Sequence, residues 1–341
     1  MLLYCVSTAT GDLVSRPTTD ITHITRLVSR GTFGTVILDS NVVGHTLNVN
    51  QKAVSTEAKA LGQSYDKRIS LRNALLNAYS IFSDDRTLYH WYGPFETAQG
   101  HPDKLARFTS LSLIGFVKDE SICEVKQNAI THHYNTLTMD EAFFMENLLP
   151  ILKRFVPLIK LTKNKHMNWP AHEERIRSIL REVSVGARLQ ITIDACLAAC
   201  GGSRVAKNML KEGEMLKGDG AILKNVLRDF IFLERVKSLT YETFKTSRKP
   251  SLVLTNDKEL SKLIPAYALT QATLLRLLNL PQCDPYSVNI GMPIPSADLD
   301  FASHEGKAIY LKLKFELMNK FGRVVGPIPG TQDMVCVPPR N

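Results

Sequence analysis

The chain has 341 residues, 44% apolar and 22% charged, enough interior for one large domain or two lobes and too apolar for a disordered chain. No run of about eighteen apolar residues occurs, so no transmembrane helix is expected. "MLLYCVSTATGDLV" is too short and polar for a signal peptide and lacks its basic start, which makes an intracellular setting the expectation. The net charge of +9 is localised: residues 153–249 hold 20 Lys and Arg against 10 Asp and Glu, and the other 244 residues hold 22 against 23. A concentrated surplus points to a polyanion-binding surface rather than to general solubility.

The first fifty residues read as β-rich. "LLYCV" and "DLV" flank a Thr-Gly-Asp turn, and "TVIL" and "VVGHTLNVN" follow a glycine turn. "SRGTFGTVIL" (29–38) resembles the end of a protein-kinase glycine-rich loop, whose glycines let backbone N–H groups close over phosphates. Ser29 stands where the first glycine belongs, no H-R-D follows, and "DFA" at Asp300–Ala302 comes too late for a lobe to follow it. Gly31 and Gly34 therefore read as a tight turn into a strand.

From Ala53 the pattern becomes helical, with Ile69, Leu71, Leu75, Leu76, Tyr79 and Phe82 on one stripe. "TLYHWYGPF" and "LSLIGFV" read as short strands. Thr138 and Glu141 have the spacing of a capping box opening a helix that Pro150 and Pro157 should each kink or divide. Pro170 suits the first turn of the next helix, and Gly201-Gly202 ends the one after it. Residues 221–247 repeat apolar positions at helical spacing. A further helix is predicted from Thr255, interrupted at Pro265 and stopped by Pro281, and a last one from Ser296 to Lys320. The tail, 323–341, is proline-rich and extended. The expected fold class is mainly α: two helical lobes (1–165 and 166–322), a small β-containing N-terminal part and an extended C-terminal arm (323–341).

Two clusters carry the charge. The first is Lys153, Arg154, Lys160, Lys163, Lys165, Arg175, Arg177 and Arg181, with His166 and Trp169 inside the run. Cations neutralise phosphates and release counterions, and an aromatic plane stacks on an unpaired base. The bland reading is a solvated helix face balanced by Glu173, Glu174 and Glu182. The second is Arg204, Lys207, Lys211, Lys217 and Lys224, among Gly201, Gly202, Gly213, Gly218 and Gly220, which would let backbone approach a ligand. It does not match a P-loop.

No catalytic, metal or cofactor site is expected. Six scattered cysteines include no C-x-x-C, and Cys196 and Cys200 would share one helical face without further ligands. His132 and His133 lack a partnering carboxylate pair. The four aromatics of "YHWYGPF" read as an anchor before a stacking platform. Ser203 lacks the G-x-S-x-G elbow of a hydrolase.

Two helical lobes, a basic region near their junction and extended ends resemble the organisation of RNA-virus nucleocapsid proteins. The resemblance implies RNA held between lobes, terminal arms docked on neighbouring copies of the chain, no enzymatic activity, no membrane partner, and a place in the virion and host cytoplasm. The β-rich start equally suits an icosahedral shell protein. The alternative is an enzyme acting on nucleotides or nucleic acid through dispersed residues, which accounts for the charge alone.

Overall fold

A computed structural model describes residues 3–8, 32–39, 124–164, 166–183, 191–215, 220–267, 299–321, 323–327 and 334–337. It also describes positions 23, 26, 27, 42, 95, 98 and 103–106. The protein is mainly helical with a small β part, as its sequence predicts. It divides into two compact units, Met1–Asp140 with Leu239–Pro265, and Glu141–Ser238 with Ala266–Asn341.

The first unit is built on a three-stranded sheet of β1 (Tyr4–Ser7), β2 (Thr35–Leu38) and β3 (Ser251–Thr255), in the order β1-β3-β2. β1 runs antiparallel to β3, pairing Tyr4 with Thr255, and β2 runs parallel to it, pairing Thr35 with Ser251. Every residue of the three strands is buried, which is why they read as unbroken apolar runs rather than alternating ones. Two buried hydroxyls at the sheet ends find partners, while Ser251 Oγ has none among the described residues. Thr8 Oγ1 donates to the Ser251 carbonyl at 3.1 Å, and Thr255 Oγ1 donates to Asp39 Oδ2 at 2.7 Å. Gly34 enters β2 with its N–H on the Pro250 carbonyl. A Cβ there would lie 2.3 Å from Ser247 Oγ, so the glycine serves a close approach.

β3 corrects the prediction of a helix from Thr255. "SLVLT" is a strand, and the helix begins three residues later as α8 (Lys258–Tyr267). Asp257 caps it by accepting from the N–H groups of Glu259 and Leu260. Helix α8 continues through Pro265. Val42 and Phe95, expected in strands, are helical. The helix expected over 69–82 lies outside the described residues.

Helix α1 (Glu124–Asn147) contains the motif predicted to start a helix at Thr138. That expectation is corrected: Thr138 Oγ1 donates to the Tyr134 carbonyl one turn back, a bond open to any mid-helix threonine. Pro150 does divide the run, since α2 (Leu149–Leu161) starts afresh with that proline in its first turn. Pro157 does not, and lies within α2. The chain continues through α3 (Trp169–Glu182), α4 (Ile191–Cys200), α5 (Arg204–Met209), α6 (Glu212–Met215) and α7 (Gly220–Ser247). The three divisions between units fall within α1, α7 and α8.

The second unit is organised around α4, all ten residues of which are buried. It packs on α2, α5 and α9 (His304–Phe321). The predicted start of α9 at Ser296 moves to His304, where Ser303 Oγ accepts from the Gly306 N–H at 3.0 Å. Helix α4 ends at the predicted glycines, with Gly202 at a φ of 89°. Gly201 meets Gly306 of α9 directly: a Cβ on Gly306 would sit 2.0 Å from the Gly201 carbonyl oxygen. After α9, β4 (Arg323–Pro327) and β5 (Met334–Val337) pair antiparallel with a bulge between Val324 and Gly326. The tail is extended in these strands, but it pairs with itself. No helix among the described residues is long and apolar enough to cross a membrane.

Candidate nucleic-acid interface

Helices α2 and α3 form a hairpin. Asn168 caps α3 by accepting from the Ala171 N–H at 3.1 Å, with Pro170 in the first turn. Arg154 near the start of α2 pairs with Glu182 at the end of α3, while residues 162–168 join the opposite ends, so the helices run antiparallel. Seven residues from that pair in each direction lie Leu161 and Arg175, which places Arg175 at about the level of Lys160.

Six of the predicted phosphate-binding residues are engaged with acids of their own unit. Arg154 forms two hydrogen bonds with Glu182, which holds the glutamate's pKa below the ordinary range. Arg177 meets Glu316 of α9 at 3.0 Å, Glu173 at 2.5 Å and Glu174 at 3.1 Å, and its own pKa is raised by them. Lys312 joins the same network through Glu173 at 2.7 Å. Arg181 pairs with Glu174, Lys163 with Glu212, Arg204 with Asp300 and Lys211 with Asp229. Lys165 and Lys217 lie outside the described residues.

Five of the cations in the two clusters have no ion-pair partner among the described residues: Lys153, Lys160, Arg175 and Lys207 on α2, α3 and α5, and Lys224 on α7. Lys153 and Lys160 lie seven residues apart on the outward stripe of α2, two turns or roughly 10 Å along its axis. Lys160 occupies the last turn, where the helix dipole favours a cation. The contact of Lys163 with Glu212 brings α5 and α6 to this end of α2. Burial holds the pKa of Lys207 below its ordinary value; Glu212 opposes this and Lys163 adds to it. Lys163 and Lys207 thus share the vicinity of Glu212 beyond the end of α2, Lys160 lies in the last turn of that helix, and Lys153 lies two turns back.

The aromatic and glycine candidates have structural uses. Trp169 packs edge-on against His172 at 5.8 Å and lies against Gly306, so it is not a free stacking platform. His172 is buried and donates from Nε2 to the Cys200 carbonyl at 3.0 Å, leaving Nδ1 without a partner. Burial is the main reason its pKa falls. Gly201 and Gly202 close the α4–α9 contact instead of opening a ligand loop. Gly213 lies in α6, and Gly218 falls outside the described residues. Ser203 is the buried cap of α5, accepting from the Ala206 N–H. Cys196 and Cys200 are fully buried, and burial raises both thiol pKa values.

One polar cluster went unread in the sequence. Asp194, in the middle of α4, accepts from Tyr310 OH at 2.9 Å and pairs with Lys314 Nζ at 2.9 Å. Lys314 also donates to Tyr310 OH at 3.0 Å. The two charged side chains are 0% and 2% exposed. Tyr310 and Lys314 are four apart on α9, but 116 and 120 residues separate them from Asp194, beyond the reach of any local pattern.

No protein-family model matches this sequence, and no curated protein or solved structure matches it.

Proposed function

We propose that this chain is a non-enzymatic, self-assembling structural protein that binds RNA, acting in a virion or in its host's cytoplasm. The observation that carries the reading is the set of four cations on α2, α3 and α5 without an ion-pair partner among the described residues, three of them exposed and Lys207 half-buried near Glu212. Cations already paired within the fold must break those contacts to meet phosphate, whereas Lys153, Lys160 and Arg175 need only shed counterions and Lys207 has only its longer-range attraction to Glu212 to offset. Self-assembly rests on the C-terminal strands that follow α9, which would add to the same element of a neighbouring copy.

The test is binding of a labelled single-stranded RNA across a salt series. Changing Lys153, Lys160, Arg175 and Lys207 together to glutamine should lower affinity and make the logarithmic salt slope shallower by roughly three, about 0.7 for each phosphate contact. Light scattering of the chain lacking 323–341 should show a smaller particle. Unchanged affinity and slope would overturn the RNA reading; unchanged particle mass would overturn the role of the arm.

A further inference from the structure

A second set of unpaired cations lies in the first unit, where α7 ends and β3 begins. Lys245, Arg248 and Lys249 fall within five residues, all are exposed, and none has an ion-pair partner among the described residues. The turn that carries them is tied down on every side. The Arg248 N–H donates to the Phe244 carbonyl at 3.0 Å, and Ser247 Oγ donates to the Thr243 carbonyl at 2.8 Å. Ser247 Oγ in turn accepts from the Lys249 N–H at 3.2 Å. The Gly34 N–H holds the Pro250 carbonyl at 2.9 Å.

Arg248 has a φ of 57°, in the left-handed region. That position just past a helix is ordinarily filled by glycine, because a Cβ is disfavoured there. An arginine in it holds a guanidinium outward at a backbone cost that folding alone does not require. Three exposed cations at this hydrogen-bonded helix end, with no ion-pair partner among the described residues, have no ion pair to break on meeting a row of phosphates.

We propose that Lys245, Arg248 and Lys249 form a second phosphate-contacting site, separate from the hairpin surface, that takes the backbone of RNA. The inference extends the RNA-binding reading to the other unit, and its failure is separable from the failure of that reading. The chain changed to Lys245→Gln, Arg248→Gln and Lys249→Gln should bind a labelled polyuridine 20-mer roughly thirtyfold more weakly near about 0.2 M salt, with a slope shallower by about two.

Arg248→Gly removes one contact while relieving the backbone. It should bind about threefold more weakly, with a midpoint of denaturation equal to or above that of the parent. This variant keeps the test alive if the triple change fails to fold. If both leave RNA affinity unchanged while the four hairpin changes lower it, the turn is a solvated helix end and this proposal fails. If neither set matters, the RNA reading fails with it. Loss of binding to phosphatidylserine vesicles, with RNA binding intact, would assign the turn to a membrane surface and overturn the proposal.

Discussion

Arg177 and Lys153 belong to one basic run and one helical hairpin, yet they stand in opposite electrostatic situations. Arg177, on the α9-facing flank of α3, is shared among Glu173, Glu174 and Glu316. Lys153, on the outward stripe of α2, meets no acid among the described residues. Lys314 extends the series inward, a cation locked in the interior by Asp194 and Tyr310. A count of charge along the sequence treats the three alike. The fold divides them into cations that hold helices together and a cation exposed without an acid among the described residues.

The interior end of the series should give the largest effect. Lys314→Met leaves Asp194 buried without its counter-charge and should cost about 3–5 kcal/mol in urea denaturation. Changing Asp194 to Leu alongside it should restore much of that loss, since replacing both members of a buried pair removes the uncompensated charge. A single change that costs no more than a surface substitution would erase the distinction between Lys314 and Arg177.

Next is Gly306→Ala. The new methyl would fall 2.0 Å from a backbone oxygen that cannot rotate away, so α4 and α9 must separate. A loss of about 3 kcal/mol is expected, with Gly201→Ala milder because its Cβ has 2.7 Å to the opposing carbonyl. Equal midpoints for Gly306→Ala and the parent would show that this contact does not set the spacing of the two helices.

His172 gives an effect confined to acid. Its pKa is depressed in the folded chain, chiefly by burial and also by Arg175, so the unfolded chain binds the proton more readily. Its contribution is fully present above the ordinary histidine value near 6.5 and declines as pH falls through that value toward the folded pKa. His172→Gln should flatten the acid side of a stability–pH curve. A curve unchanged by the substitution would remove His172 from the titration.

The smallest effects are on the surface. Arg177→Gln should cost about 1 kcal/mol or less and lose most of its effect in high salt. Lys153→Gln with Lys160→Gln should stay within about 0.5 kcal/mol of the parent. If the lysine pair proved the more destabilising, the proposed division of labour on the hairpin would be reversed.

What the sequence revealed follows from how local each cause is. Pro170 marks the start of α3, and Gly201-Gly202 the end of α4, because a first-turn proline and a left-handed turn need only neighbouring residues. "SLVLT" went unread as a strand, because a short run of three apolar residues looks alike in a helix and a central strand. Thr138 misled because hydroxyl spacing says nothing of which carbonyl lies nearer. In the candidate interface, the cations were legible as residue types. Their freedom was not, because Arg177 finds Glu316 across 139 positions and Lys163 finds Glu212 across 49.

The place of β3 has a consequence for how the chain is made. β1 and β2 leave the ribosome before the strand that joins them, which ends at Thr255. From Leu38 to Thr255 is 217 residues, or roughly 10–40 s of synthesis at about 5–20 residues per second. For that interval two apolar strands have no ladder partner from their own sheet, and open strand edges invite pairing with other chains. Slowed elongation beyond residue 38 should therefore raise aggregation of nascent chains, and supplying a peptide of residues 249–257 during synthesis should suppress it.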